Sequence, residues 1–124
     1  MVAVDSSTIV AYIQGTAGRD VELFDAGLMA ADISIPPIVL TEVLSEPTLP
    51  EDYRNLILRL PVLELLADYW TRAAATRAII LTQGLRARLP DTLIAQACLD
   101  HGVALITRDG DFRHFAAHCQ LKLA

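Results

Sequence analysis

Short apolar runs alternate with helical patterns along this chain. Buried strands are predicted at residues 2–4, 33–35 and 103–107, with a further candidate strand at residues 62–66. Ser6 and Ser7 are predicted to cap the first helix. The other predicted helices lie near residues 21–29, 39–44, 53–60, 68–83 and 92–101, with a short one before residue 121. This alternation predicts an α/β domain with a small, mostly parallel central sheet between helices.

Length and composition limit the class of protein. A chain of 124 residues is expected to form one domain over residues 1–124, and a hydrophobic content of 53% excludes intrinsic disorder. No apolar run is long enough for a membrane span. A net charge of −5 argues against holding nucleic acid by bulk charge alone. The mean hydropathy of +0.40 exceeds what a lone soluble domain needs, which favours a partner surface.

Cysteines and the N-terminus indicate an ordinary cytoplasmic protein. Cys98 and Cys119 form no C-x-x-C pair, and we interpret them as small buried apolar residues. The first residues have no basic stretch and carry an acid at Asp5, so no signal peptide is predicted. Tyr69 and Trp70 are interpreted as core or interface anchors rather than as groups that stack on bases.

Carboxylates cluster where the predicted strands end. Asp5 ends the first strand, and Asp109 and Asp111 follow the last one. Asp91 begins the helix that leads into that strand, and Glu42 lies on the helix after the second strand. Because the carboxyl ends of parallel strands meet at one edge of a sheet, these acids are expected to converge there. Clustered carboxylates repel one another, and Mg²⁺ or Mn²⁺, which prefer oxygen ligands, would remove that repulsion.

Each acid also has a purely structural interpretation. Asp5 and Asp91 suit helix N-termini, Asp109 before Gly110 suits a turn, and an isolated Glu42 would usually be solvated. For each of the three aspartates considered alone, the structural interpretation is favoured over a role as cation ligand. Their joint placement at one edge favours the cation site.

The basic residues are mainly arginines, which suit bidentate contact with phosphate. The stretch between Asp68 and Asp91 contains no acid and includes Arg86 and Arg88. We predict that Arg86, Arg88 and also Arg108 contact phosphate groups of a substrate beside the acids. A solvated helix face and loop is an equally good interpretation of Arg86 and Arg88.

Four segments of this chain together resemble the PIN domain, and most closely VapC-type toxins of bacterial toxin–antitoxin pairs. They are VAVDSS at 2–7, LTEV at 40–43, PDTLIAQA at 90–97 and LITRDGDF at 105–112. The resemblance covers nearly the whole chain. It implies a three-layer α/β/α sandwich, a homodimer that can join a larger toxin–antitoxin assembly, and a cognate VapB-like antitoxin.

The resemblance also implies a metal-dependent endoribonuclease that cleaves RNA phosphodiesters with water activated by Mg²⁺ or Mn²⁺. The phosphates expected at Arg86, Arg88 and Arg108 would then belong to RNA. The family's acids fall on Asp5, Glu42, Asp91 and Asp109, with Asp111 as a further ligand. Thr107 matches the family's hydroxyl at this turn, where it would orient a carboxylate or water. Ser7 matches a polar position near the first acid, although relatives often have Thr-Asn or Thr-Ser at the two positions after that acid.

Two other functions remain as alternatives. A PIN-fold binding module would act mainly by docking the antitoxin and regulating its operator DNA, without strong nuclease activity. A phosphotransfer domain of the receiver or haloacid-dehalogenase type is disfavoured by the residues. Receiver domains need a late lysine, and Lys122 at the very end is the only lysine. Dehalogenase-type phosphatases need Asp-x-Asp, whereas Asp5 is followed by two serines.

Overall fold

A three-stranded parallel sheet in the order β2-β1-β3 forms the centre of the molecule. The computed structural model describes residues 1–124. Strand β1 spans Val2–Val4, β2 spans Ile33–Ser34 and β3 spans Ala104–Ile106. Val2 pairs with Ile33 on one side and with Ala104 on the other. The predicted parallel α/β architecture is therefore confirmed.

Seven α-helices surround this sheet. They are α1 (Ser6–Ile13), α2 (Arg19–Met29), α3 (Pro37–Leu44), α4 (Glu51–Leu58), α5 (Tyr69–Thr82), α6 (Leu89–His101) and α7 (Arg113–Cys119), and a 3-10 turn over Gly110–Phe112 precedes α7. None of these helices has the length and apolar character needed to span a bilayer. The arrangement is an α/β/α sandwich with a small sheet.

Two local predictions were wrong. Residues 62–66 form no continuous strand: Val62 makes a single parallel bridge to Ile35, and Leu65 and Leu66 are exposed. Ser6 and Ser7 do not cap α1, because Asp5 occupies the N-cap position and the two serines lie inside the helix. Helix α6 also begins earlier than predicted, at Leu89, with Pro90 in its first turn, where a missing N–H costs nothing.

The core lies between the sheet and the helices. Its largest fully buried side chains include Phe24, Phe112 and Phe115. Cys98 is fully buried, and burial raises the pKa of its thiol to about 12, so this cysteine is packed as a small apolar residue. Tyr69 is buried as well, whereas its neighbour Trp70 is 65% exposed.

Candidate active site

The carboxyl ends of β1 and β3 open into an acidic cleft of about 300 Å³. Asp5 follows β1 directly, and its backbone N–H donates to the carbonyl of Ile106 at the end of β3 (2.9 Å). This pairing places the turn after β3 beside the start of α1. The residues that line the cleft are Asp5, Ser6, Ser7, Val10, Glu42, Arg88, Asp91, Ile94 and Asp109. The four acids predicted from the sequence thus lie around one space.

Asp5 is buried and is held by hydroxyl groups. Its Oδ2 accepts hydrogen bonds from Ser7 Oγ (2.7 Å) and Thr107 Oγ1 (2.8 Å), and the residue is only 3% exposed. Although Asp5 occupies the N-cap position, its carboxylate caps no backbone N–H of α1. The carboxylate is therefore directed by side chains toward the cleft rather than used to start the helix.

Thr107 links Asp5 to the turn that carries two further acids. Its hydroxyl donates to Asp5 and accepts from the backbone N–H of Asp109 (3.0 Å). Asp109 Oδ1 accepts from the N–H of Asp111 (2.9 Å), so the turn interpretation of Asp109 is correct for one of its oxygens. The turn is thereby fixed relative to Asp5.

Asp91 is the acid with the most unusual surroundings. It lies in the first turn of α6 and is 9% exposed, and its Oδ2 is buried without any hydrogen-bond partner. Burial, and then the nearby carboxylates of Asp109 and Asp5, raise the pKa of Asp91 to about 6. A buried carboxylate oxygen without a partner costs free energy, which a cation in the cleft would recover.

Asp91 also belongs to a tight group of three carboxylates. Asp91, Asp109 and Asp111 each offer an oxygen, and these three oxygens lie within 4.8 Å of one another. No histidine or cysteine lines the cleft, so the donors are carboxylate and hydroxyl oxygens. This donor set fits Mg²⁺ or Mn²⁺ better than Zn²⁺. Asp111, the fifth acid predicted from the sequence, belongs to this group of three carboxylates.

Glu42 reaches the cleft from α3 and is joined to Asp5 through Ser6. The hydroxyl of Ser6 lies 3.3 Å from Glu42 Oε1 and 3.4 Å from Asp5 Oδ1. Desolvation, followed by the charge of Asp5, raises the pKa of Glu42. Sequence reasoning missed this role of Ser6, which it had assigned to helix capping. A serine next to the first acid was the only available signal, and it fits a cap equally well.

The three arginines predicted to contact RNA lie in different places. Arg88 lines the cleft, with its Nε 3.9 Å from Asp111 Oδ2, and its side chain is half exposed. Arg86 is exposed. Arg108 instead forms a two-pronged ion pair with Asp20. RNA contact by Arg86 and Arg88 stays a prediction, and the ion pair does not favour it for Arg108.

The fold and the cleft define a small α/β domain with an acidic, cation-binding type of site at the carboxyl end of its sheet. The model of the PIN domain family matches residues 2–118. The chain therefore belongs to the PIN domain family, and the resemblance seen in the sequence is confirmed. PIN domains are in general nucleases that typically use divalent metals.

Solved structures with the same fold come from toxin–antitoxin complexes. VapBC2 from Rickettsia felis, bound to a promoter DNA fragment, aligns with a TM-score of 0.76 at 20% identity, over 100% of this chain and 98% of that one. DNA-bound VapBC from Salmonella typhimurium aligns with a TM-score of 0.73 at 21% identity, with the same coverage.

VapBC-5 from Mycobacterium tuberculosis, a member of the VapBC family of toxin-antitoxin systems, aligns with a TM-score of 0.67 at 18% identity over 98% of this chain and 95% of that one. A search of curated protein sequences gave no match. At these identities the structural alignments establish the common fold.

Proposed function

We propose that this protein is an Mg²⁺- or Mn²⁺-dependent endoribonuclease that acts as the toxin of a VapBC-type toxin–antitoxin pair. The observation that carries the proposal is the buried, unpartnered Oδ2 of Asp91 within a cleft that also contains Asp5, Glu42 and Asp109. Membership of the PIN domain family supports the choice of a nuclease. RNA as the substrate follows from the likeness to VapC-type toxins.

Different residues of the cleft would have different roles in phosphodiester hydrolysis. Asp91, Asp109 and Asp111 would hold the cation, and Asp5 would complete the site with its orientation fixed by Ser7 and Thr107. A divalent cation supplies activation of water and neutralises the charge that develops on the phosphate.

Glu42 and Arg88 have separate roles at the edge of the cleft. Glu42, whose raised pKa makes it a better base, would accept a proton from the attacking water. Arg88 would bind a phosphate oxygen. Hydrolysis of this kind leaves 5′-phosphate and 3′-hydroxyl ends.

Replacing Asp5 with asparagine tests this proposal with little change in side-chain shape. We expect RNA cleavage by the purified Asp5→Asn protein with Mn²⁺ to fall by at least about 100-fold, because loss of a ligand exceeds the usual effect of an outer-shell change. EDTA should abolish cleavage by the wild type. Asp52→Asn, at an exposed acid outside the cleft, is the matched control and should cleave normally.

The alternative function is a binding module without strong nuclease activity. It predicts that wild type and Asp5→Asn are equally inactive on RNA, and that outcome would contradict the nuclease. Undiminished cleavage by the wild type in EDTA would contradict its dependence on a divalent cation. The structural likeness to VapBC complexes bound to DNA supports docking of an antitoxin under either function. A VapB-like antitoxin is expected to be encoded beside this chain, and co-purification of the neighbouring gene product tests that partner.

A homodimer is proposed through the apolar surface around Trp70. This side chain lies between two apolar grooves, one formed with Leu81 and Leu89 and one formed with Ile38 and Leu65. Trp70, Leu81 and Leu89 are 65%, 48% and 54% exposed, which is unusual for large apolar side chains that remain in water together. A second copy of the chain would remove this surface from water.

Changing Trp70 to aspartate should therefore convert the dimer to a monomer, because a charge would be buried at its centre. Light scattering after size exclusion is expected to give twice the chain mass of 13.5 kDa for the wild type and 13.5 kDa for the variant. Met29→Asp is the control, since Met29 is 84% exposed on a different helix. A wild-type protein of 13.5 kDa at micromolar concentration would contradict the dimer.

A further inference from the structure

An ion pair between Arg108 and Asp20 anchors the turn that follows β3. Arg108 Nε donates to Asp20 Oδ2 and Arg108 Nη2 donates to Asp20 Oδ1, both at 2.9 Å. Nη2 also donates to the carbonyl oxygen of Ala17 (3.2 Å). This bidentate geometry holds a guanidinium in one orientation, unlike a single contact. The turn after β3 is thus fastened to the loop and helix start at residues 17–20.

Asp20, the acid of this pair, also accepts a hydrogen bond from Thr8. Asp20 is almost buried, with a side chain 10% exposed, and its Oδ2 accepts a hydrogen bond from Thr8 Oγ1 (2.9 Å). Thr8 is fully buried on α1, the helix that follows Asp5 and carries Ser6 and Ser7. The pair therefore connects the turn after β3 to α1 as well as to α2.

The absence of a side chain at Gly18 leaves room for the ion pair between Asp20 and Arg108. A Cβ on Gly18 would lie 2.6 Å from Asp20 Oδ1 and 2.7 Å from Arg108 Nη2, closer than real Cβ contacts allow. Any other residue would have to displace one partner of the pair. The ion pair thus fills the space that a side chain at position 18 would need.

The residues on either side of Arg108 belong to the acidic cleft. Thr107 donates to Asp5 Oδ2, and Asp109 donates its backbone N–H to Thr107 Oγ1. The backbone N–H of Arg108 lies 3.4 Å from Ser7 Oγ, which itself binds Asp5. A shift of the Arg108 backbone would therefore change the positions of Asp109 and of the hydroxyls that orient Asp5.

We propose that the Asp20–Arg108 ion pair, seated on Gly18, is a latch that holds Thr107 and Asp109 in the geometry needed to bind a divalent cation. Asp20 and Arg108 are positioning residues, since they act through their neighbours and Asp20 does not line the cleft. The latch rests on the proposed function, because it serves the same cation site. It replaces the RNA contact predicted for Arg108 with a contact inside the protein.

Three substitutions should disrupt the ion pair of the latch, each in a different way. Asp20→Asn removes the charge of the acid, Arg108→Lys keeps a positive charge but loses the bidentate contact, and Gly18→Ala forces the partners apart. We expect each variant to bind Mn²⁺ about 10- to 100-fold more weakly than wild type in a calorimetric titration, the usual range for outer-shell changes. In RNA cleavage, kcat should fall while KM for RNA stays within about twofold.

Asp100→Asn is the matched control, because Asp100 also receives a bidentate contact from an arginine, Arg72, but lies outside the cleft. This variant should lose thermal stability and keep wild-type affinity for Mn²⁺. The control separates positioning from general destabilisation. If Asp20→Asn is too unstable to purify, Arg108→Lys and Gly18→Ala provide the same comparison.

The outcomes distinguish the latch from the function on which it rests. Wild-type affinity for Mn²⁺ in Arg108→Lys and Gly18→Ala would overturn the latch and leave the nuclease standing. An increased KM for RNA with unchanged Mn²⁺ affinity in Arg108→Lys would also overturn it, in favour of direct RNA contact. A wild-type protein that binds no Mn²⁺ would overturn the proposed function and the latch with it.

Discussion

Replacing Asp91 with asparagine is expected to abolish RNA cleavage and, at the same time, to stabilise the cation-free protein at pH 8. Asp91 is 9% exposed, and its Oδ2 has no hydrogen-bond partner. Burial and the carboxylates of Asp109 and Asp5 raise the pKa of Asp91 to about 6. The native protein therefore carries a buried charge at pH 8 that the unfolded chain carries in water.

The sign of the stability change follows from the two pKa values. The ordinary pKa of 3.8 applies to Asp91 in the unfolded chain, and the value of about 6 applies in the folded one. Between pH 3.8 and about pH 6 the folded state binds more protons than the unfolded chain. The free energy of unfolding therefore falls as the pH rises through this window and remains low above it. Asparagine removes that loss, and we expect a gain of about 1–3 kcal/mol in the free energy of unfolding at pH 8.

Urea unfolding in EDTA at pH 5 and pH 8 measures this effect. The stabilisation of Asp91→Asn relative to wild type should be larger at pH 8 than at pH 5, and its cleavage of RNA with Mn²⁺ should be at background. Asp52→Asn, at an exposed acid, should change stability by less than about 0.5 kcal/mol. An Asp91→Asn protein that cleaves RNA at the wild-type rate, or unfolds more easily than wild type at pH 8, would contradict the assignment.

The affinity for Mn²⁺ is expected to fall as the pH is lowered through 6. Metal binding requires deprotonated ligands, so a proton on Asp91 competes with the cation. With a pKa of about 6, one displaced proton weakens binding about tenfold at pH 5 relative to its limit at high pH. A carboxylate with its ordinary pKa would titrate below this range and leave the affinity almost constant. An affinity that does not change between pH 5 and pH 7 would therefore contradict the raised pKa.

The placement of the acids at one edge could be predicted because it depends on local signals. Apolar runs that end in Asp5 and near Asp109 identify two strand ends, and parallel pairing brings such ends together. The positions of Glu42 and Asp91 on helices next to these strand ends placed them at the same edge, and the sequence resemblance selected the same acids. The candidate strand at residues 62–66 is reduced to one bridge, at Val62, because the neighbouring chain leaves the sheet after Ile35, where Pro36 and Pro37 offer no N–H to extend the pairing.

Contacts between distant parts of the chain could not be predicted in this way. The bond between Ser6 and Glu42 joins residues 36 positions apart, and the pair of Arg108 with Asp20 joins residues 88 positions apart. A serine at a helix start looks the same whether it caps the helix or binds a carboxylate. An arginine next to a candidate ligand likewise fits phosphate binding and an internal ion pair equally well.

The position of the acids in the cleft changes what the net negative charge implies about binding of an RNA substrate. Without Asp5, Glu42, Asp91 and Asp109, the chain would have eleven acids against ten bases. Most of the excess negative charge therefore faces one cleft, where a divalent cation would offset it. An RNA substrate would meet a site whose negative charge is partly offset by the cation and by Arg88.

A calorimetric titration of Mn²⁺ into the cation-free protein at pH 7.5 shows whether Asp91 is a ligand of a divalent cation. The wild type is expected to bind Mn²⁺ in the cleft, and Asp91→Asn is expected to lose that binding while remaining folded. Asp52→Asn should bind as the wild type does. No Mn²⁺ binding by the wild type, or equal binding by wild type and Asp91→Asn, would contradict a cation site built on Asp91 and the nuclease function proposed for it.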